Sequence, residues 1–237
     1  MAHQDIIGGA RAAIPVALGY AGIGFAAGVV GAQAGLSPAE VTLLSLILFA
    51  GSAQFVFAEL YTGSPVTLVT TVFLVNLRHL LYSTAFAPRV RGLGVSARFA
   101  IGAQLTDETF SLASSLLRGP LGSGRWMIAL NMTAYLAWAS GNLTGAIAGG
   151  AVSAVDGLGL DFALAAMFAA LLMMQITEAP GGRRAVAILV AALAAVTMVA
   201  LQGWHPGPLN LLVATAVAAT AGAALAPASA GTAEEGA

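Results

Sequence analysis

The sequence predicts an all-α, polytopic membrane helix bundle: seven transmembrane helices plus a segment at 99–117 that re-enters or makes an eighth crossing. Three observations predict it. Of the 237 residues, 59% are apolar and only 8% are charged, where a soluble domain carries roughly a quarter. The charges are also spaced so that long intervals contain none, and about 20 mostly apolar helical residues cross the hydrocarbon core. Finally, many of the 29 glycines lie inside those intervals, as in helices that approach one another closely in lipid.

The same numbers exclude several classes. So few charges cannot clothe a soluble surface, and so apolar a chain is not disordered. A net charge of −1 without a basic patch excludes nucleic-acid binding. With no cysteine there is no disulfide scaffold or thiolate metal site. All nine basic residues are Arg, so a Walker A lysine is missing and the chain is not its own ATPase.

The elements follow from the charge-free intervals. Nothing charged separates Arg11 from Glu40, Glu40 from Glu59, or Glu59 from Arg78, which predicts helices over 12–33, 39–61 and 65–87. The clear run from Arg125 to Asp156 predicts 126–150, and the shorter one from Asp161 to Glu178 predicts 160–178. The long run from Ala185 to Ala233 is broken by Gly203-Trp-His-Pro-Gly-Pro208, so it holds two helices, 185–202 and 208–226. Residues 1–226 form a single transmembrane transport domain, and 227–237 a polar, disordered tail. Ala32-Gln33-Ala34 mimics a signal-peptidase site, but the weakly charged start and long apolar run argue against a cleaved leader.

Segment 99–117 leaves two topologies level. With eight crossings and a cytoplasmic N-terminus, Arg11, Arg118, Arg125, Arg183 and Arg184 lie inside and Arg89, Arg91 and Arg98 outside. With a re-entrant 99–117 and an external N-terminus, all of these but Arg11 lie inside, which the positive-inside rule prefers. Both place the C-terminus inside.

Glycine has two readings. Gly141, Gly145 and Gly149 recur every four residues, a small-xxx-small packing face. Gly19, Gly22, Gly24, Gly28, Gly31 and Gly35 are too dense for a plain seam, and a broken helix beside a substrate path is the alternative.

Function is most legible where the chain tolerates a cost. A charge at a helix centre costs about 2.5–3.5 kcal/mol on insertion scales, and Arg78, His79, Asp107 and Glu108 all sit in apolar segments. Such residues are functional candidates by default. Arg78 is expected to pair with Asp107 or Glu108. The bland alternative is a snorkelling Arg78 with Asp107 and Glu108 capping a broken helix. Helical spacing adds polar stripes: Thr42, Ser45, Ser52 and Glu59; Thr71, Arg78 and Tyr82 beside Asn76, His79 and Ser83; Gln104, Glu108, Ser111 and Ser115; Asn131, Tyr135, Trp138 and Asn142. Four stripes in one small chain point to a shared wet interior and a solute pathway. The two C-terminal helices, rich in Ala, Val and Leu, are lipid-facing scaffold or a partner interface.

Three stretches carry a resemblance: Gly35 to Phe55 (GLSPAEVTLLSLILFAGSAQF), Val75 to Ser83 (VNLRHLLYS) and Leu105 to Phe110 (LTDETF), with Ile14-Pro15-Val16 ahead of them. In this order they resemble the AzlC family of branched-chain amino-acid permeases, over about residues 8–180. The resemblance implies a multi-pass protein of the bacterial cytoplasmic (inner) membrane that exports branched-chain amino acids. It also implies the proton motive force as energy source and a small hydrophobic AzlD-type partner subunit.

The residues then suggest a mechanism. A zwitterionic amino acid binds between the second span, the third span and 99–117, its carboxylate on the planar fork of Arg78 and its ammonium on Asp107 or Glu108. Ser52, Gln54, Asn76 and Thr106 supply neutral hydrogen bonds, and Phe49, Phe55, Leu77 and Phe110 an apolar pocket. Proton coupling falls to His79 or to whichever of Asp107 and Glu108 is not paired with Arg78. An enzyme is not expected: Ser52 with His79 lacks a nucleophile elbow and a third member. Nor do the scattered His3, His79 and His205 make a metal site, and no cofactor is implied. A passive channel or structural membrane subunit for another small zwitterion is the rival reading.

Overall fold

In a computed structural model the chain is all-helical among its described residues, which are 6–117, 119–121, 123–151, 166, 169, 172, 173, 176, 177, 181–204 and 209–225. Two compact units divide it, within residues 1–164 and 165–237.

The first unit holds α1 (Ile6–Ala12), α2 (Ile14–Gln33), α3 (Pro38–Leu48), α4 (Gly51–Leu60), α5 (Pro65–Val90), α6 (Val95–Ala103), α7 (Asp107–Leu116) and α8 (Arg125–Ala151). Helices α1 and α2 run along α8, and their glycines set the distance. A Cβ on Gly24 would stand 2.9 Å from the Trp138 carbonyl oxygen, one on Gly141 2.7 Å from that of Ala21, and Gly28 and Gly145 lie closer still to backbone. The 141–149 glycines thus form the packing face expected. Of the first set, Gly24 and Gly28 join this seam, Gly31 meets Val41 on α3, and Gly19 and Gly22 face open space. Gly35 takes φ +98° in the turn into α3, a conformation that costs glycine nothing.

Helix α3 begins with a capping box. The Ser37 hydroxyl accepts from the Glu40 amide while the Glu40 carboxylate accepts from the Ser37 amide at 2.8 Å.

The expected span 39–61 is not one helix. It breaks at Phe49, which takes the left-handed conformation (φ 30°, ψ 52°), and restarts at Gly51 after an extended Ala50. Segment 99–117 starts earlier, at Val95, and breaks too: α6 ends at Ala103, and α7 begins at Asp107 behind Thr106, whose hydroxyl caps the Thr109 amide. A break inside lipid exposes carbonyls that need donors, and α8 provides one for each. Tyr135 donates its hydroxyl to the Leu46 carbonyl at the end of α3 (2.8 Å), and the Asn131 amide donates to Ile101 at the end of α6 (3.2 Å). The α8 stripe is therefore the rail to which both broken helices are tied.

The second unit holds α9 (Gly181–Trp204) and α10 (Leu209–Leu225), packed on one another with Gly222 against Val190. Arg184 donates to the carbonyls of Ile176 (3.2 Å) and Thr177 (2.8 Å), and Trp204 is exposed as an interfacial Trp would be. These helices match 185–202 and 208–226. Most of 160–178, residues 205–208 of the turn, and the 227–237 tail lie outside the described residues.

Among the described residues, three helices are long and apolar enough to cross a membrane: Ile14–Gln33, Pro65–Val90 and Arg183–Trp204. Helix α8, at 27 residues, also has the length, about 40 Å at 1.5 Å per residue. Along α5, Val66, Val69, Phe73, Leu80 and Leu81 are exposed, an apolar outer face suited to lipid.

Candidate functional site

Arg78 sits near the middle of α5, and its guanidinium reaches two helix starts at once. One terminal nitrogen donates to Asp107 Oδ2 at 2.5 Å; the other donates to Ser52 Oγ at 2.6 Å. Asp107 is the first residue of α7 and Ser52 the second of α4. The planar fork thus spans the N-terminal ends of both second half-helices, where amide groups carry partial positive charge. The ion pair is partly buried, its side chains 21% and 14% exposed.

Asp107 and Glu108 point about 100° apart around α7, and they take different partners. Glu108 Oε2 accepts the Tyr20 phenol at 2.5 Å, and the Tyr20 oxygen also lies 2.6 Å from Thr106 Oγ1. Thr106, a predicted neutral contact, caps α7: its amide donates to Thr109 Oγ1 at 2.9 Å. The capping role weighed for the acids thus belongs to Thr106, with both acids in the first turn where the dipole favours them.

Gln54 is turned away from this pair. Its side-chain carbonyl accepts from the Trp138 indole N–H and its amide donates to Asn142 Oδ1 at 3.1 Å, all three buried. These bonds tie α4 to α8. Asn76 and His79 stay on α5. The His79 ring is half-buried with Nδ1 3.2 Å from the Asn76 carbonyl oxygen, and Asn76 Oδ1 and Thr71 Oγ1 are buried atoms with no hydrogen-bond partner among the described residues.

The four apolar candidates do not form one wall. Phe49 and Phe55 are buried with Tyr20, Ala134 and Trp138. Phe110 packs elsewhere, against Tyr82 and Phe86, and Leu77 is 37% exposed. Sequence reasoning missed Tyr20. Its signal was available: a phenol in a charge-free span must find a polar partner once buried. It also missed the break at Phe49, where no proline marks the sequence and only the small pair Gly51-Ser52 follows.

A family model described as AzlC protein matches residues 15–152, which contain both helix breaks and every residue of the ion-pair cluster. The chain belongs to the AzlC family. Among its relatives, it is 31% identical to the inner membrane protein YgaZ of Escherichia coli over 80% of each chain. It is 29% identical to an uncharacterized membrane protein of Archaeoglobus fulgidus over 80% of this chain and 90% of that one. The branched-chain amino acid transport protein AzlC of Bacillus subtilis is 29% identical over 68% of this chain and 64% of its own. No solved structure matches. As an AzlC protein with membrane-protein relatives and apolar spanning helices, the chain is a membrane protein.

Proposed function

We propose that this AzlC protein is a multi-pass permease of the inner membrane that exports branched-chain and related apolar amino acids. The reading includes the proton motive force as driving force, a small hydrophobic AzlD-type partner subunit, and the seven-span topology with 99–117 as a broken, re-entrant segment. The observation that supports it most is the Arg78–Asp107 pair lodged between the starts of α4 and α7.

Without substrate, each of these two charges compensates the other in the membrane interior. A zwitterion enters by inserting between them: its carboxylate takes the Arg78 fork and the two helix N-termini, and its ammonium takes Asp107. No unpaired charge is created at any stage, which matters where desolvated charges are costly. Ser52 and Thr106 border the pair, while Gln54 acts through Trp138 and Asn142 to hold α4 in place. The buried Asn76 Oδ1 and Thr71 Oγ1 on α5, unpartnered among the described residues, support a polar path along that helix. The aliphatic side chain is assigned to the aromatic cluster of Phe49 and Phe55. The coupling proton goes to Glu108, the acid that Arg78 does not hold, and His79, bonded within its own helix, is the second candidate.

The test is release of labelled valine from preloaded cells that express the chain with and without the small partner. The expected result is release only with both chains, collapsing when a protonophore is added. Valine release that ignores the protonophore would point to a passive channel.

A further inference from the structure

We infer that Tyr20 is a positioning residue for proton coupling: its phenol links Glu108 to the Thr106 cap of α7 and reports to that cap whether Glu108 carries a proton. The inference rests on the reading of Glu108 as the proton carrier and adds the device by which its state reaches the substrate pair.

The geometry leaves few choices. Tyr20 is 5% exposed, and its oxygen lies 2.5 Å from Glu108 Oε2 and 2.6 Å from Thr106 Oγ1. A carboxylate only accepts, so with Glu108 charged the phenol proton must point at it. The Thr106 hydroxyl then donates to the phenol oxygen. When Glu108 takes a proton from bulk water, its new O–H donates to the phenol oxygen, and the phenol proton swings to Thr106 Oγ1. The Thr106 proton must then find another acceptor, and Thr109 Oγ1 lies 3.2 Å away. The only O–H bond made or broken is that of the Glu108 carboxyl, whose proton returns to water on deprotonation. Thr106 precedes Asp107, so a rearranged cap acts on the residue that holds Arg78.

The same ring reaches the other break. It makes edge contacts with Phe49 (centroids 6.4 Å) and Trp138 (5.4 Å). Tyr20 therefore touches the left-handed residue between α3 and α4 and the cap between α6 and α7. Helix α2 carries it beside Gly19 and Gly22, which face open space.

The titratable and charged groups around Glu108 are few. Tyr20 comes from α2 and Asp107 stands beside it. Across the ion pair, α5 presents Arg78, His79 and Tyr82, with Tyr82 facing Asp107 and His79 turned to the Asn76 carbonyl. Helix α4 carries only Glu59, toward its far end, and α8 has no charge after Arg125.

The test uses the full-length protein in lipid and follows the infrared carboxyl band that Glu108→Gln removes. Tyr20→Phe keeps the ring and deletes one hydroxyl. It is expected to move the pH midpoint of that band by about one unit, the size of one hydrogen bond to a charged group. Thr106→Val is expected to move it too, while Thr106→Ser restores it. In transport, Tyr20→Phe retains valine exchange without a gradient and loses gradient-driven release by at least about tenfold. An unmoved midpoint with normal driven release would overturn the inference. So would loss of exchange and driven release together with an unmoved midpoint, which makes Tyr20 a packing residue. A moved midpoint in a wild-type protein that exchanges no branched-chain amino acid would keep the Tyr20 link and remove the permease reading instead.

Discussion

Arg78→Ala is expected to abolish valine export while the protein still inserts and remains monodisperse in detergent. The substitution removes both hydrogen bonds that join the starts of α4 and α7 and leaves Asp107 without its cation. Truncating one member of a buried charge pair costs about 2–5 kcal/mol. Here the two side chains are only partly buried in the protein, so the lower end applies and the fold survives. Transport suffers more, because the proposed site loses the guanidinium assigned to the substrate carboxylate. A lost bidentate, charge-assisted contact of about 3 kcal/mol corresponds to roughly a hundredfold. Arg78→Lys keeps the charge but not the planar fork, so it cannot hold Ser52 and Asp107 in one plane and is expected to recover only part of the flux. Normal export by Arg78→Ala, measured against equal amounts of membrane-inserted protein, would remove the guanidinium from the substrate site.

The second large effect is on stability. Gly145→Ala is expected to lower the thermal unfolding midpoint sharply, because a Cβ there would overlap the Phe25 carbonyl on α2. The obstacle is backbone, which no rotamer change relieves. To accept the methyl, α2 and α8 must separate along a seam where Gly24, Gly28 and Gly141 also sit at contact distance. Overpacking of this kind costs about 1–3 kcal/mol, more than the roughly 1 kcal/mol that alanine gains over glycine in a helix. Gly19→Ala is the control: nothing lies within 4 Å of its Cβ, so helix propensity alone acts and the midpoint is held or raised. Equal midpoints for the two variants would contradict the backbone-on-backbone seam.

Much of this was legible in the sequence, and the exceptions have physical reasons. The glycine repeat at 141, 145 and 149 reports a helix face directly, because only a Cβ-free surface lets backbones touch. Arg78 and Asp107 stood out by insertion cost, and they do pair. Asp107 and Glu108 behind Thr106 carry the acidic first turn of a helix start, so a broken 99–117 was already one of its readings. The break at Phe49 was hidden, since its stabilisation is non-local. The Tyr135 hydroxyl takes the Leu46 carbonyl, and the Phe49 ring lies edge-on to Tyr135 and Tyr20. A left-handed non-glycine residue costs about 1–3 kcal/mol and persists only where such surroundings hold it. Gln54 looked like a substrate ligand by its place in the motif, but spacing within one segment says nothing of Trp138 and Asn142 across the bundle. Tyr20 was overlooked because a single phenol in a glycine-rich run leaves no periodic trace.

The central claim is that the site between α4, α5 and α7 takes a whole zwitterion, one charge on Arg78 and the other on Asp107. Competition for labelled valine bound to the purified protein, together with the proposed partner subunit, tests it most directly. Isovalerate keeps the side chain and carboxylate, isobutylamine keeps the side chain and ammonium, and leucine keeps both charges. Displacement by leucine alone, with valine binding lost in Arg78→Ala, is the expected result. Displacement by isovalerate or isobutylamine at concentrations close to those of leucine would contradict it, because one charge of the pair would then suffice.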